Sequence, residues 1–139
     1  MPTDIITTIE TALVSALQTV LPELKVEAMP NDAKAYERAF AVGAVLVQYM
    51  DSEYPAPVTL DLAVQERNAR FGILLLVRSL RGQQGAYSYL DTIRKAVFGF
   101  TPIAGGNQMI ITADAFIEPQ ENVWAYSLTA AIQMLNTES

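Results

Sequence analysis

The chain has 139 residues, 51% of them hydrophobic, a net charge of −6, and neither cysteine nor histidine. This length fits one domain spanning 1–139 with a sizeable apolar core and no need of disulfide staples. The missing histidine removes Ser-His-Asp and Cys-His nucleophile activation and imidazole-bound zinc, and the missing cysteine removes disulfides and thiolate metal sites. Carboxylate chemistry, lysine chemistry or no chemistry remains.

In chain order, "TDIITTIETALVSALQTVLPEL" offers Thr3 or Asp4 as an N-cap and places Ile6, Ile9, Leu13, Leu17 and Val20 at helical spacing, with Pro22 as the stop. This predicts a helix from about Asp4 to Leu21. "LKVEAM" reads as a short strand, and "PNDAKAYERAFAVG" as a short helix ending at Gly43. Ala44–Met50, "AVLVQYM", is apolar on both faces and predicts a buried strand, and "DSEYPAP" after it reads as a loop.

"VTLDLAVQ" and "ARFGILLLVRSL" both alternate as strands, the second with Phe71, Ile73, Leu75 and Val77 on one face. One strand from Val58 to Leu80 would run about 76 Å at roughly 3.3 Å per residue. A turn near Arg67-Asn68 is therefore expected, unless the first run is no strand. "GQQGAYSYLDTIRKAVFG" predicts a helix over Gly85–Phe98 with Tyr87, Leu90, Ile93 or Arg94, and Val97 inward, Gly99 as C-cap, and Phe98 and Phe100 as a hydrophobic clamp around it. Pro102 bars continuation. "NQMIITADAFIE" and "NVWAYSLTAAIQML" read as two strands joined by "EPQEN", the second carrying Trp124, Tyr126, Leu128, Ala130, Ile132 and Met134 on one face. The expected fold class is α+β, a mostly antiparallel β-sheet flanked by helices.

The longest apolar run, "AFAVGAVLV", has about nine residues against roughly 18 for a membrane span. No basic residue precedes Lys25, which argues against a secretory signal, so a soluble protein made in a cytoplasm is expected. The acidic total disfavours a phosphate backbone as partner, and no sequence-specific nucleic-acid contact is expected. The Gly105-Gly106 pair is followed by no Lys-Ser/Thr and opens no helix, so it reads as a turn rather than a phosphate cradle. Asp114, Glu118 and Glu121 match no calcium-loop spacing and read as a solvated hairpin. No catalytic residue, cofactor or metal is expected. A small carboxylate-dependent enzyme would need a deep pocket holding two of Asp51, Asp61, Glu66, Asp91 or Asp114.

Charge is segregated along the chain. Between Leu62 and Gly99 lie Arg67, Arg70, Arg78, Arg81, Arg94 and Lys95 against Glu66 and Asp91, net +4, while the remainder is net −10. Arginines on apolar strand faces want partners. Two readings stay open: a solvated strand end, or a meeting with an acidic segment of another subunit. Opposite signs within one chain suit head-to-tail contacts, which close into rings or run on as filaments.

The run "VQERNARFGILLLVRSLRGQQGAYSYLDTIRKAVFGFTP", then a Gly-rich loop, an acidic segment and "VWAYSLTAAI", resembles the tail-terminator (tail-completion) proteins of contractile-tailed, Mu-like bacteriophages and prophages. The shared pattern is Gln-x-Arg before a strand, Arg-Ser-Leu-Arg-Gly, a helix ending Gly-Phe-x-Pro, and a closing Trp-x-Tyr strand. "DSEYPAPVTLDLAV" has no place in the pattern, and Pro30 to Gly43 matches weakly. The resemblance implies a structural virion protein, not an enzyme. Such proteins form a ring, usually a hexamer, at the head-proximal end of the tail, stop tube and sheath polymerisation, and dock the neck. The implied partners are copies of itself, tail tube and sheath proteins, and neck or head–tail connector proteins, with assembly in the bacterial host cytoplasm. Carried over residue by residue, Arg67, Arg70, Arg78 and Arg81 are the candidate contacts with a neighbouring subunit, the tail or the neck, or face the ring lumen, and Asp91, Arg94 and Lys95 are the candidate contact charges of the surface helix. The alternative is another neck or head–tail connector component, or a small ligand-binding domain.

Overall fold

A computed structural model describes residues 4–31, 42–56, 64–120 and 123–137. Its elements are α1 (Ile5–Val20), β1 (Lys25–Ala28), β2 (Gly43–Glu53), β3 (Val64–Val77), α2 (Ala86–Val97), β4 (Ile110–Gln120) and β5 (Val123–Thr137). The five strands form one sheet in the order β1-β2-β3-β5-β4, with β1 parallel to β2 and every other pair antiparallel. This is the expected α+β class. The short helix expected over Pro30–Gly43 and the strand expected at Val58 lie largely outside the described residues.

Helix α1 starts where the Asp4 carboxylate accepts the Thr7 N–H at 2.7 Å, and its Leu21 N–H closes onto the Leu17 carbonyl before Pro22. Ile9, Leu13 and Leu17 are fully buried, one helical stripe against the sheet. Val20, expected inside, is 41% exposed, and Leu21 takes the buried position one residue past the helix end. Gln18 Nε2 donates to the Val26 carbonyl and ties α1 to β1.

Both helices cover the same sheet face. Ile9, Leu13 and Leu17 of α1 and Ala86, Tyr89, Ile93 and Val97 of α2 join Val45, Val47, Phe71, Ile73, Leu75, Leu128, Ala130 and Ile132 in one core. The alternation expected for β3 and β5 is the one observed. For α2 the inward stripe is Tyr89 and Ile93, while Tyr87 is 49% exposed. The reason is the helix start: the Ala86 and Tyr87 N–H groups bond the Ser79 and Leu80 carbonyls, which sets the rotation of the first turn. Gly99 has φ +82, the left-handed conformation of a residue just past a helix end. The clamp around it is one-sided, since Phe98 is 63% exposed and Phe100 packs on the core.

Two boundary expectations are overturned. β3 runs unbroken through Arg67 and Asn68, paired to Met134 and Gln133 of β5, so no turn lies there. β2 continues through Asp51, Ser52 and Glu53, which read as loop by composition. The ladder to Arg70, Ala69 and Asn68 holds these polar residues in strand. A smaller cluster on the opposite sheet face gathers Leu46, Leu76, Val123 and Ala125.

Candidate interaction surface

The arginines of β3 are placed by strand geometry and one β-bulge. Arg67 and Arg70 are three residues apart, so they leave opposite faces of the sheet. Tyr49 pairs with Phe71, and an unshifted ladder would set Asp51 opposite Ala69, on the core face. The extra residue, Met50, shifts the register so that Asp51 meets Arg70 on the outer face and Ser52 takes the place beside Ala69. Gly72 leaves room for Met50, because a Cβ there would lie 3.0 Å from its sulfur.

Both resulting partnerships are tight. Arg70 grips Asp51 as a fork, Nε on Oδ1 at 2.6 Å and Nη2 on Oδ2. The guanidinium holds the Asp51 carboxyl below the usual carboxylate range, and Asp51 raises Arg70 in turn. On the helix-side face, Arg67 Nε donates to Ser52 Oγ at 3.0 Å, and its guanidinium lies 5.9 Å from the Tyr49 ring centre and 5.7 Å from that of Tyr54. The bond to Ser52, then the one to Arg67, lowers the Tyr49 phenol. Tyr54 is half-exposed, so one aromatic wall of this arginine faces outward.

Arg78 and Arg81 follow β3. Arg78 is exposed, and its backbone N–H bonds the Val42 carbonyl. The chain then turns through Gly82 (φ +93) and Gly85 into α2. Any Cβ at Gly85 would lie 2.5 Å from the Arg81 backbone, so glycine is required by the close approach. This turn aims the Arg81 guanidinium at the Tyr87 ring, 5.7 Å from its centre. Tyr87 continues a chain of rings: Tyr126 at 6.4 Å, then Phe116 at 5.3 Å from Tyr126, then Trp124 at 6.2 Å from Phe116. Phe116 is 51% exposed. This cluster escaped the sequence reading, which put Tyr87 in the core. The available signal was the hairpin register, which sets Phe116 opposite Tyr126.

Asp91, Arg94 and Lys95 lie together on the outer side of α2, with Asp91 bonded to Arg94 at 2.7 Å and to Lys95 at 3.0 Å. Those cations lower the Asp91 carboxyl. The seven candidate residues are thus dispersed: Arg70 lies on the outer sheet face, Arg67 on the helix-side face, Arg81 against the aromatic cluster, Arg78 just past β3, and Asp91, Arg94 and Lys95 on the outer side of α2.

Asp51 is committed to Arg70, Asp91 to its own helix, and Asp114 is exposed on β4. Asp61 lies outside the described residues. A cavity of about 410 Å³ between Arg70, Ile110 and Gln133 has Glu53 as its carboxylate, and another of about 370 Å³ lies between Ile5, Ile103 and Met134. Among the described residues no group of three or more Asp, Glu, His or Cys could hold a metal ion, and no helix is long and apolar enough to cross a membrane.

Among the described residues, fold and surface define an α+β protein with one five-stranded sheet, two helices on one of its faces, and a surface of paired charges and half-exposed aromatics. The family model described as Gp37 protein matches residues 13–139, and the chain belongs to that family. Among proteins with curated descriptions, none matches the sequence. Among solved structures, the chain is similar to one from the virion of a native gene transfer agent particle, with a TM-score of 0.58 and 9% identity over 96% of this chain and 100% of that one. At that identity the likeness is one of fold.

Proposed function

We propose that this protein is a structural component of a phage-type virion that forms a ring, of six copies by family expectation, on the head-proximal end of the tail. There it ends growth of tube and sheath and offers the neck its docking surface. One observation carries the reading: the fold is shared over the full length of a chain that belongs to a virion particle. The sequence resemblance to tail terminators over most of the chain points the same way. A tube ring exposes an adhesive upper face, and a terminator binds it while presenting a different surface above, so the next ring finds no partner. Such work needs two chemically unlike surfaces and no nucleophile, metal or cofactor. The partners under this reading are further copies of the chain, tube and sheath subunits below, and neck or connector proteins above, with assembly in the host cytoplasm.

Deleting the gene tests it. The expected result is tails of uncontrolled length that fail to join heads, with regular length restored by the gene in trans. Normal tails without the protein would overturn the reading. Imaging of the intact particle separates the closest rival, because contact with portal-side proteins alone would make the chain a connector component.

A further inference from the structure

The sheet ends in two unlike edges. Among the described residues, β1 pairs with β2 alone and β4 with β5 alone. An open edge is a row of unpaired N–H and C=O groups, and soluble proteins blunt such rows with lysines, prolines, bulges or a covering element. β4 has a bulge between Ile111 and Ala113 and a proline at 119, but Ala113–Ile117 stay in unbroken register with β5. Within that stretch Ala113, Asp114, Ala115 and Phe116 are all exposed, and none is basic. The other edge, Lys25–Ala28, is four residues long, close to the regular part of β4.

Direction and charge choose how two copies meet. From β1 parallel to β2, and antiparallel pairing onward, β4 runs opposite to β1. A copy set beside another with the same face forward therefore brings β4 against β1 antiparallel, the pairing that dominates this sheet. Two β4 edges could also meet about a two-fold axis, but charge opposes it. The segment Arg78–Val97, whose helix lies over β3, β4 and β5, is net +3, while Asp4–Ala28, whose helix lies over β1 and β2, is net −3. A β4–β4 contact sets two cationic flanks together, whereas a β4–β1 contact sets a cationic flank against an anionic one. Phe116 leaves β4 on the helix side, where the neighbour's α1 ends at Val20, itself 41% exposed.

Resting on the ring reading above, we infer that neighbouring copies join β4 to β1, head to tail, so that the sheet continues from one subunit into the next. The occupant of the β4 edge is a second copy of this chain. A four-residue joint is small against the roughly 800 Å² per partner of a durable contact, so the α2 and α1 flanks supply the rest.

The absence of native cysteine makes the geometry readable. In a Glu27→Cys/Ala115→Cys double variant, a short thiol cross-linker is expected to give a ladder from dimers up to one closed species in assembled particles. Either single variant stays uncross-linked, and a mixture of the two stops at dimers. Dimers from Ala115→Cys alone would overturn the inference, as would no ladder in particles that contain the chain. Should the double variant fail to enter particles, hydrogen exchange on the wild-type protein decides. Amides of 25–28 and 113–117 should exchange about tenfold more slowly in the particle than in the free chain. Wild-type chain present in particles with unchanged exchange there ends the edge joint and leaves the virion reading standing. Chain absent from particles ends both.

Discussion

β3 and β4 have similar strand-forming sequences and opposite fates. β3 lies between two other strands, and its Phe71, Ile73 and Leu75 are at most 1% exposed. Among the described residues β4 borders one strand, and the residues from 112 to 116 are all exposed. The contrast shows that position in the sheet, more than residue preference, decides whether a strand supplies stability or a surface. β3 anchors the fold; β4 is free to make contacts.

The sharpest way to break that contrast is to truncate one aromatic on each strand. Phe71→Ala should cost about 3–5 kcal/mol in chemical denaturation, because a fully buried ring leaves a cavity. Phe116→Ala should cost only about 1–2 kcal/mol, the scale of two half-exposed aromatic contacts. Equal losses would refute the division of labour. Next, Gly43→Ala should cost about 1–3 kcal/mol, since the new Cβ would sit 2.5 Å from the Leu76 carbonyl oxygen on β3. Ala115→Val on β4 should change stability by only about 0.5 kcal/mol in either direction.

Two smaller effects are read by pH. Burial first, then the nearby Glu23 carboxylate, push the Tyr89 hydroxyl up to about 12, and among the described residues the hydroxyl has no partner at full hydrogen-bond geometry. The unfolded chain releases that proton near the ordinary value of 10.0, so the native state binds more protons between there and about 12. Stability should fall as pH rises across that window, and Tyr89→Phe should flatten the fall. Asp51 behaves oppositely. Its native pKa is lowered from 3.8 by Arg70, so its contribution is complete above that value and is lost as pH falls through the lowered one. Asp51→Asn should remove this part of the acid sensitivity in pH-dependent denaturation curves, a small change because the pair is half in solvent.

Much of this was readable in the chain because local chemistry carries it. Asp4 before an apolar stripe, Gly99 before Pro102, and the alternation of Phe71 to Val77 each name an element through contacts close in sequence. The interaction surface was less legible. Arg70 and Asp51 were seen as separate charges, because their partnership depends on a bulge at Met50 that composition does not announce. Tyr87 and Tyr89 are two residues apart on an amphipathic helix, and which turns inward was settled by the Ala86 and Tyr87 N–H groups donating to the Ser79 and Leu80 carbonyls. The Asp51–Glu53 run reads as loop until a neighbouring strand supplies its ladder.

By itself the amino-acid order determined α1 and α2, the inward faces of β3 and β5, the α+β class and the exclusion of histidine- and cysteine-based chemistry, all properties of period, cap and composition. Only the tertiary structure decided that β5 inserts between β3 and β4, that β1 joins in parallel, and that Phe116, Trp124, Tyr126 and Tyr87 meet beside Arg81. The physical reason is range. Caps and alternation act over a few residues, whereas strand order and a shared aromatic surface depend on burying one common core among segments distant in the chain.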